Sequence, residues 1–243
     1  MPFSAAPRGS FPNMIKLSVV VPVYNEEGTI ITLLRKISDV VIEGVEVEVI
    51  VVDDGSKDSS RRLLEENPGL YATLISQPNG GKGSAVKTGL RAATGDYVLF
   101  QDADLEYDPA DYTRLLKPVL LYNADVVMGS RFIAPEFTRV FYFWHKVGNA
   151  FISLFFNLLN NTTFTDIYSC YLLYRRSLIN PDRLETLGWE QHAEILSRCL
   201  SGAKSLYEVP ISYHGRGYDE GKKIKAYHVF AVLWAILRFR FIR

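Results

Sequence analysis

Up to residue 130, runs suited to strands alternate with segments carrying apolar residues at helical spacing. "LSVVVPVY" (17–24), "VEVEVIVVDD" (45–54), "YATLIS" (71–76), "DYVLF" (96–100) and "ADVVMGS" (124–130) are the strand candidates. "EEGTIITLLRKISDV", "KDSSRRLLEEN", "GKGSAVKTGLRAA" and "PADYTRLLKPVLL" are the helices between them. Such alternation predicts an α/β fold, a mostly parallel sheet flanked by helices. In sheets of this kind ligands bind beyond the carboxyl ends of the strands. Polar clusters fall at those ends: "PVYNEE", "DDGS", "QDADLE" and "GSR". No internal repeat appears, and no domain boundary shows before about residue 135.

The 243 residues are 48% hydrophobic, enough for a sizeable core, and Lys+Arg and Asp+Glu both number 27. That balance gives no global field toward nucleic acid, so no nucleic-acid partner is expected. Cys170 and Cys199 lack metal-ligand spacing and are expected as free thiols of a reducing compartment. The N-terminal "MPFSAAPRGSFPNM" lacks the apolar core of a signal peptide and is expected to be a disordered tail, residues 1–14. No run reaches the ~18 apolar residues of a membrane span, although "FYFWHKVGNAFISLFFNLL" (141–159) and "YHVFAVLWAILRFRFIR" (227–243) come partway.

The most acidic cluster follows the fourth strand, where Asp102, Asp104, Glu106 and Asp108 stand at every second position. In an extended segment residues two apart project to one side, so Asp102 and Asp104 can both reach a hard divalent cation. Mg2+ or Mn2+ takes oxygen ligands and keeps sites for substrate phosphates, so two carboxylates suffice for a metal–diphosphate site; a plain solvated loop explains the row equally well. In "VVDDGS", turn and capping chemistry accounts for Asp54, Gly55 and Ser56, leaving Asp53 as an acceptor for a base or ribose. "NGGKGSAVKTGL" opens a helix with Gly80, Gly81 and Gly83 around Lys82. Either the glycines let backbone amides approach phosphate, or the helix start needs their freedom; a cation at a helix N-terminus wants a reason and favours the first.

Five segments in register, "SVVVPVYNEEGTI", "VIVVDDGSKDSS", "NGGKGSAVKTGL", "GDYVLFQDADLEYDP" and "DVVMGSRF", resemble the family 2 nucleotide-sugar glycosyltransferases of GT-A (Rossmann-like) fold. "FTDIYSCYLLYRRSLI", "WEQHAEILSRCLSGAKSLYEVPISYHGRGYDEGKKI" and "WAILRFRF" are similar to the polyprenyl-phosphate hexosyltransferase branch, which includes dolichyl-phosphate mannose synthase. The resemblance covers about residues 17–242.

It implies that Pro22, Tyr24, Asn25 and Glu26 line the nucleotide pocket with Asp53 and Lys82, and that Asp102, Asp104 and Glu106 hold Mg2+ or Mn2+. Many relatives carry Gln where Glu106 stands. Arg131 and Arg216 would neutralise phosphate charge, making Asp104, Arg131 and Arg216 the catalytic set. Arg131, Lys146 and Asn149 would meet the acceptor phosphate, with His145 an alternative to Lys146. The implied reaction moves a hexose, mannose or glucose, from a GDP- or UDP-hexose with inversion at the anomeric carbon. The implied acceptor is a polyprenyl phosphate; the alternative is a saccharide hydroxyl, as in surface-polysaccharide synthesis.

A hydroxyl acceptor needs a carboxylate base, whereas a lipid phosphate is already anionic. Hydroxyl-transferring relatives often carry a Glu-Asp pair where this chain has Glu190-Gln191, followed by Glu194. A solvated helix face accounts for both glutamates. Apolar bulk followed by Arg238, Arg240 and Arg243 fits an element lying in a membrane interface, or a core-packed terminal helix. On this reading residues 15–218 form the catalytic domain and 219–243 a basic, amphipathic membrane-interface segment. The protein is then expected to be cytoplasmic and peripherally associated with the membrane surface.

Overall fold

The computed structural model describes residues 14–133, 143–215 and 228–241. The expected tail, apart from Met14, therefore lies outside the described residues, as do Arg216 and Arg243.

Strand β1 (Ile15–Val23) lies between β2 (Val45–Asp53) and β4 (Tyr97–Phe100), parallel to both. β3 (Thr73–Ser76) extends the sheet beyond β2. Burial of consecutive residues Val19, Val20 and Val21 marks β1 as covered on both faces, which is why it reads as an unbroken apolar run. Register pairs Val23 with Asp53 and Asp53 with Ser76, so the polar ends of three strands finish level at one edge. Helix α1 (Ile30–Ser38) buries Ile30, Leu33, Leu34 and Ile37, the i, i+3, i+4, i+7 stripe of an amphipathic helix. Helices α2 (Ser60–Glu65), α3 (Lys82–Ala92) and α4 (Tyr112–Tyr122) complete the alternation, and α4 ends at Asn123 in the left-handed region, φ 55°.

The second half adds strands that the alternation did not predict. β5 (Val126–Ser130) does not pair with β4; β6 (Leu172–Arg175) lies between them, antiparallel to both. β7 (Leu206–Pro210) runs parallel to β5, giving a seven-stranded order β3-β2-β1-β4-β6-β5-β7. Because β6 runs against its neighbours, the loop leading into it arrives at the same edge as the polar strand ends. That reversal delivers Asp166, Tyr168 and Cys170 to the site.

Helices α5 (Phe143–Asn160), α6 (Gln191–Leu200) and α7 (His228–Phe241) form the remaining layer. α7 contacts both α5 and α6 and buries Val232, Ala235, Ile236 and Phe239. Its other side exposes Phe230, Trp234, Leu237 and Phe241, and α5 exposes Phe143, Trp144, Val147, Phe151, Leu154 and Leu158. The terminal segment is thus core-packed along one side and apolar toward solvent along the other. Among the described residues no helix is long and apolar enough to cross a membrane.

Candidate active site

Gln101, wholly buried, fixes the point where β4 gives way to the acidic row. Its Oε1 accepts hydrogen bonds from the hydroxyls of Tyr112 and Tyr171, both 2.8 Å, and its Nε2 donates to the carbonyl of Asp102 at 3.0 Å. Ala103 is buried between Asp102 and Asp104, which are each part-exposed, so the alternation expected of the row holds that far. Beyond it the chain turns: the amide of Glu106 donates to Asp104 Oδ1 at 3.0 Å. Glu106 then accepts from the Tyr213 hydroxyl at 2.7 Å. Among the described residues no three His, Cys, Asp or Glu side chains converge as a metal-holding group. Asp102 and Asp104 thus both reach solvent at this edge on either side of a buried Ala103, and the Glu106 side chain, past the turn, bonds Tyr213.

A cation already rests on Asp102. The Lys82 ammonium forms an ion pair with Asp102 Oδ1, the side chains being 32% and 23% exposed. Burial pushes the Asp102 carboxyl up, but the adjacent Lys82 charge outweighs it and holds the group below its ordinary range. For Lys82, burial works against the ammonium, yet Asp102 first and Asp104 more weakly raise its pKa. Trp189 closes the other side, with Nζ 5.2 Å from the ring centroid. The Cys170 thiol, kept protonated chiefly by burial and then by the Asp102 charge, donates to the Phe100 carbonyl at 3.9 Å.

The glycine loop serves a different purpose from the phosphate cradle that Lys82 favoured. Asp54, 3% exposed, accepts from the amides of Gly80 at 2.9 Å and Gly81 at 2.8 Å, and from Gln77 Nε2. The Gly83 amide donates to the Leu187 carbonyl at 3.0 Å. Gly81 sits at φ 86°, and a Cβ on Gly83 would lie 2.4 Å from the Leu187 carbonyl carbon. These amides bind protein acceptors, so the glycines exist to seat two loops against the start of α3.

Where the nucleotide pocket is expected, Asn25 (φ 53°) interlocks the turns after β1 and β2. Its amide donates to Ser56 Oγ at 3.1 Å, and its Oδ1 accepts from the Lys57 amide at 2.8 Å. The Glu26 amide bonds Ser60 Oγ, while Thr29 Oγ1 donates to both Glu26 Oε2 and the Ala103 carbonyl at 3.0 Å. Pro22 and Tyr24 flank this wall, part-exposed. Asp53 is 1% exposed and accepts from the Ser56 amide at 3.3 Å.

Arg131 is held by Asp166 through two parallel bonds, Nε–Oδ2 2.7 Å and Nη2–Oδ1 2.8 Å, and lies 5.0 Å from the Tyr213 ring. Its side chain is 12% exposed and that of Asp166 0%, so its charge is balanced inside the protein. On α5, Lys146 is exposed and Asn149 half-buried, three residues apart; neither is bonded to Arg131 among the described residues.

Several side chains at this edge carried no role in the sequence reading. Glu194, placed there on a solvated helix face, is wholly buried. It accepts from the amides of Glu185 and Thr186, the Thr186 hydroxyl and Arg198 Nε, tying down the loop that carries Leu187 and Trp189. Glu190 accepts from the Gly188 amide at 3.2 Å. His192 Nε2 is buried with no hydrogen-bond partner among the described residues. Burial and the Lys82 charge depress its pKa to about 4. Asp54, Asp166 and Glu194 are acidic residues among many, and only the tertiary structure separates them from surface charges.

The model of the family described as "Glycosyl transferase family 2" matches residues 18–181. The chain is a family 2 glycosyltransferase. It is 31% identical over 202 residues to glycosyltransferase AglJ of Haloferax volcanii, covering 82% of this chain and 63% of the relative. It is 28% identical over 229 residues to the dolichol-phosphate mannosyltransferase of Pyrococcus furiosus, covering 92% and 63%. A third relative is the undecaprenyl-phosphate 4-deoxy-4-formamido-L-arabinose transferase of Pseudomonas aeruginosa, 29% identical, with 85% and 60% covered. The chain spans less than two thirds of the length of these relatives. In fold it matches glucosyl-3-phosphoglycerate synthase of Mycobacterium tuberculosis, crystallised with Mn2+, UDP and glucosyl-3-phosphoglycerate, at a TM-score of 0.65 and 23% identity, covering 93% and 80%. The family 2 glycosyltransferase therefore has the GT-A fold expected of its five motifs.

Proposed function

We propose that this family 2 glycosyltransferase moves a hexose, mannose or glucose, from a GDP- or UDP-hexose to a polyprenyl phosphate with inversion. The observation that carries the acceptor class is the burial of Glu194. A saccharide hydroxyl would need a carboxylate free to take its proton, yet Glu194, the buried glutamate of α6, is committed to four donors. A phosphate nucleophile requires no base, only orientation and charge compensation. The naming of two relatives as dolichol-phosphate and undecaprenyl-phosphate transferases supports the same class.

The oxygen donors of Asp102 and Asp104 suit Mg2+ or Mn2+, and Asp102 already bonds a cationic group, Lys82. Bound there, the metal would neutralise charge on the leaving diphosphate. Lys82 would add a second positive charge beside it, and the wall of Pro22, Tyr24, Asn25 and Glu26 would seat the nucleoside. Arg131, oriented by Asp166, would offer donors to phosphate oxygens from a fixed position. Arg216 remains in the proposal as a group that neutralises phosphate charge, and Lys146 and Asn149 as acceptor-side groups.

The exposed apolar stripes of α5 and α7 support peripheral docking on a membrane surface, where a polyprenyl acceptor resides. The arginines act differently from the flanking charges pictured in the sequence: Arg238 pairs with Glu185, and Arg240 donates to the Leu159 carbonyl at 2.7 Å.

The deciding experiment supplies purified protein with Mn2+, labelled GDP- and UDP-hexoses, and either polyprenyl phosphate or oligosaccharide. Label in the lipid phase that disappears in Asp104→Asn supports the proposal. Label in the oligosaccharide alone replaces the acceptor class.

A further inference from the structure

We propose that Lys82 makes cation binding at Asp102 and Asp104 conditional on the arrival of the donor diphosphate. The inference rests on the metal-dependent donor reading above and concerns what the chain does before the donor is present.

Two observations carry it. First, the described residues provide two carboxylates here and no group of three His, Cys, Asp or Glu that could hold an ion unaided. Second, one of those carboxylates is already in contact with an ammonium group. A bare divalent cation therefore meets a site whose charge Lys82 has partly cancelled, and it must either displace that ammonium or bind beside it.

The lysine also has a second partner at the site. Trp189 lies against Nζ at 5.2 Å, and the loop carrying the indole is anchored by the Gly83–Leu187 bond of 3.0 Å and by Glu194. An ammonium driven off Asp102 is still drawn to the indole, and from there it opposes the incoming cation. A diphosphate reverses the balance. It completes the oxygen shell of the metal and supplies negative charge to Lys82 when Asp102 turns to the metal. Cation and nucleoside diphosphate then raise each other's affinity, and by reciprocity each does so by the same factor. A site of this design stays empty of free metal and closes around a metal–diphosphate complex.

Mn2+ uptake read by the electron paramagnetic resonance of the free ion tests this without turnover. Wild-type protein and Lys82→Met are titrated with Mn2+ alone and with Mn2+ in the presence of UDP or GDP. In the wild type, one nucleotide is expected to raise Mn2+ affinity at least about tenfold. In Lys82→Met, Mn2+ alone should bind about tenfold more tightly than in the wild type, and the enhancement by nucleotide should shrink correspondingly. Lys82→Gln, of different shape and also neutral, must behave alike, and far-ultraviolet dichroism shows that each variant is folded. Nucleotide-dependent Mn2+ uptake by the wild type, with Mn2+ alone bound no more tightly by either folded variant, overturns this proposal and leaves the donor reading standing. No Mn2+ uptake by the wild type with either nucleotide overturns both.

Discussion

Asp166 grips Arg131 by two parallel hydrogen bonds of 2.7 and 2.8 Å in a setting where the Asp166 side chain has no solvent exposure. The pair joins the end of β5 to the loop before β6, so it fixes two strands at the active-site edge. Removing one partner leaves a buried charge uncompensated. Asp166→Asn should cost about 3–5 kcal/mol in urea denaturation, and Arg131→Met/Asp166→Asn should cost less than the sum of the single changes. Additive losses in that double-mutant cycle would show that the two side chains act independently.

Asp54 holds the amides of Gly80 and Gly81 from 26 and 27 residues away. Asp54→Ala removes the acceptor of both donors and should destabilise the fold by about 1–3 kcal/mol in total, since the loop itself is partly open to water. Faster amide hydrogen exchange confined to residues 79–84 would locate the effect; unchanged exchange there would show that the anchor is dispensable.

Gly83 permits the Leu187 backbone to lie against α3. Alanine would put a methyl group 2.4 Å from the Leu187 carbonyl carbon, a contact only backbone movement relieves. Gly83→Ala should destabilise by about 1–3 kcal/mol and displace Trp189 from Lys82. In a background with Trp144 and Trp234 replaced by Phe, the Trp189 emission maximum should shift to longer wavelength.

Glu48 stands at the opposite end of the sheet, where it accepts from Ser18 at 2.6 Å and Thr94 at 2.7 Å and pairs with Lys16 at 2.9 Å. Burial pushes its carboxyl up, but these donors together lower its pKa to about 2. A folded-state pKa below the unfolded one stabilises above the unfolded value, and that contribution is lost as pH falls toward 2. The stability gap between wild type and Glu48→Gln should therefore be full above about pH 4.5 and narrow on acidification. A gap independent of pH from 6 down to 2.5 would contradict this assignment.

Phe230, Trp234 and Phe241 share the exposed side of α7. If that side meets lipid, Phe230→Ser/Trp234→Ser should lower partitioning onto liposomes at least about tenfold while leaving the thermal midpoint nearly unchanged. Flotation identical to wild type would remove α7 from the contact.

The first five strands were legible in the sequence because each is a short apolar run with a polar end, and both faces of β1 are buried. So was the exposure of Asp102 and Asp104 on either side of a buried Ala103, since alternation survives up to the turn at Asp104. The turn itself was not, nor the bond that Tyr213, 107 residues away, makes to Glu106. Distance in sequence also concealed the partners of Asp54 and Arg131: the amides that Asp54 holds lie 26 and 27 residues away, and the Asp166 that orients Arg131 lies 35 residues away. Glu194 misled for a related reason. On a helix a glutamate reads as solvated unless one knows that a preceding loop folds back onto it.

The antiparallel insertion of β6 has a consequence for how the molecule is made. β4 ends at residue 100 and β5 at residue 130, yet the ribbon that separates and joins them is Leu172–Arg175. While the ribosome is still adding residues before 172, β4 and β5 lack the neighbour that covers their facing edges, and such open edges invite foreign pairing. Fragments that stop short of that ribbon are therefore expected to precipitate rather than fold, and the nascent sheet becomes one continuous body only once Leu172–Arg175 has been translated.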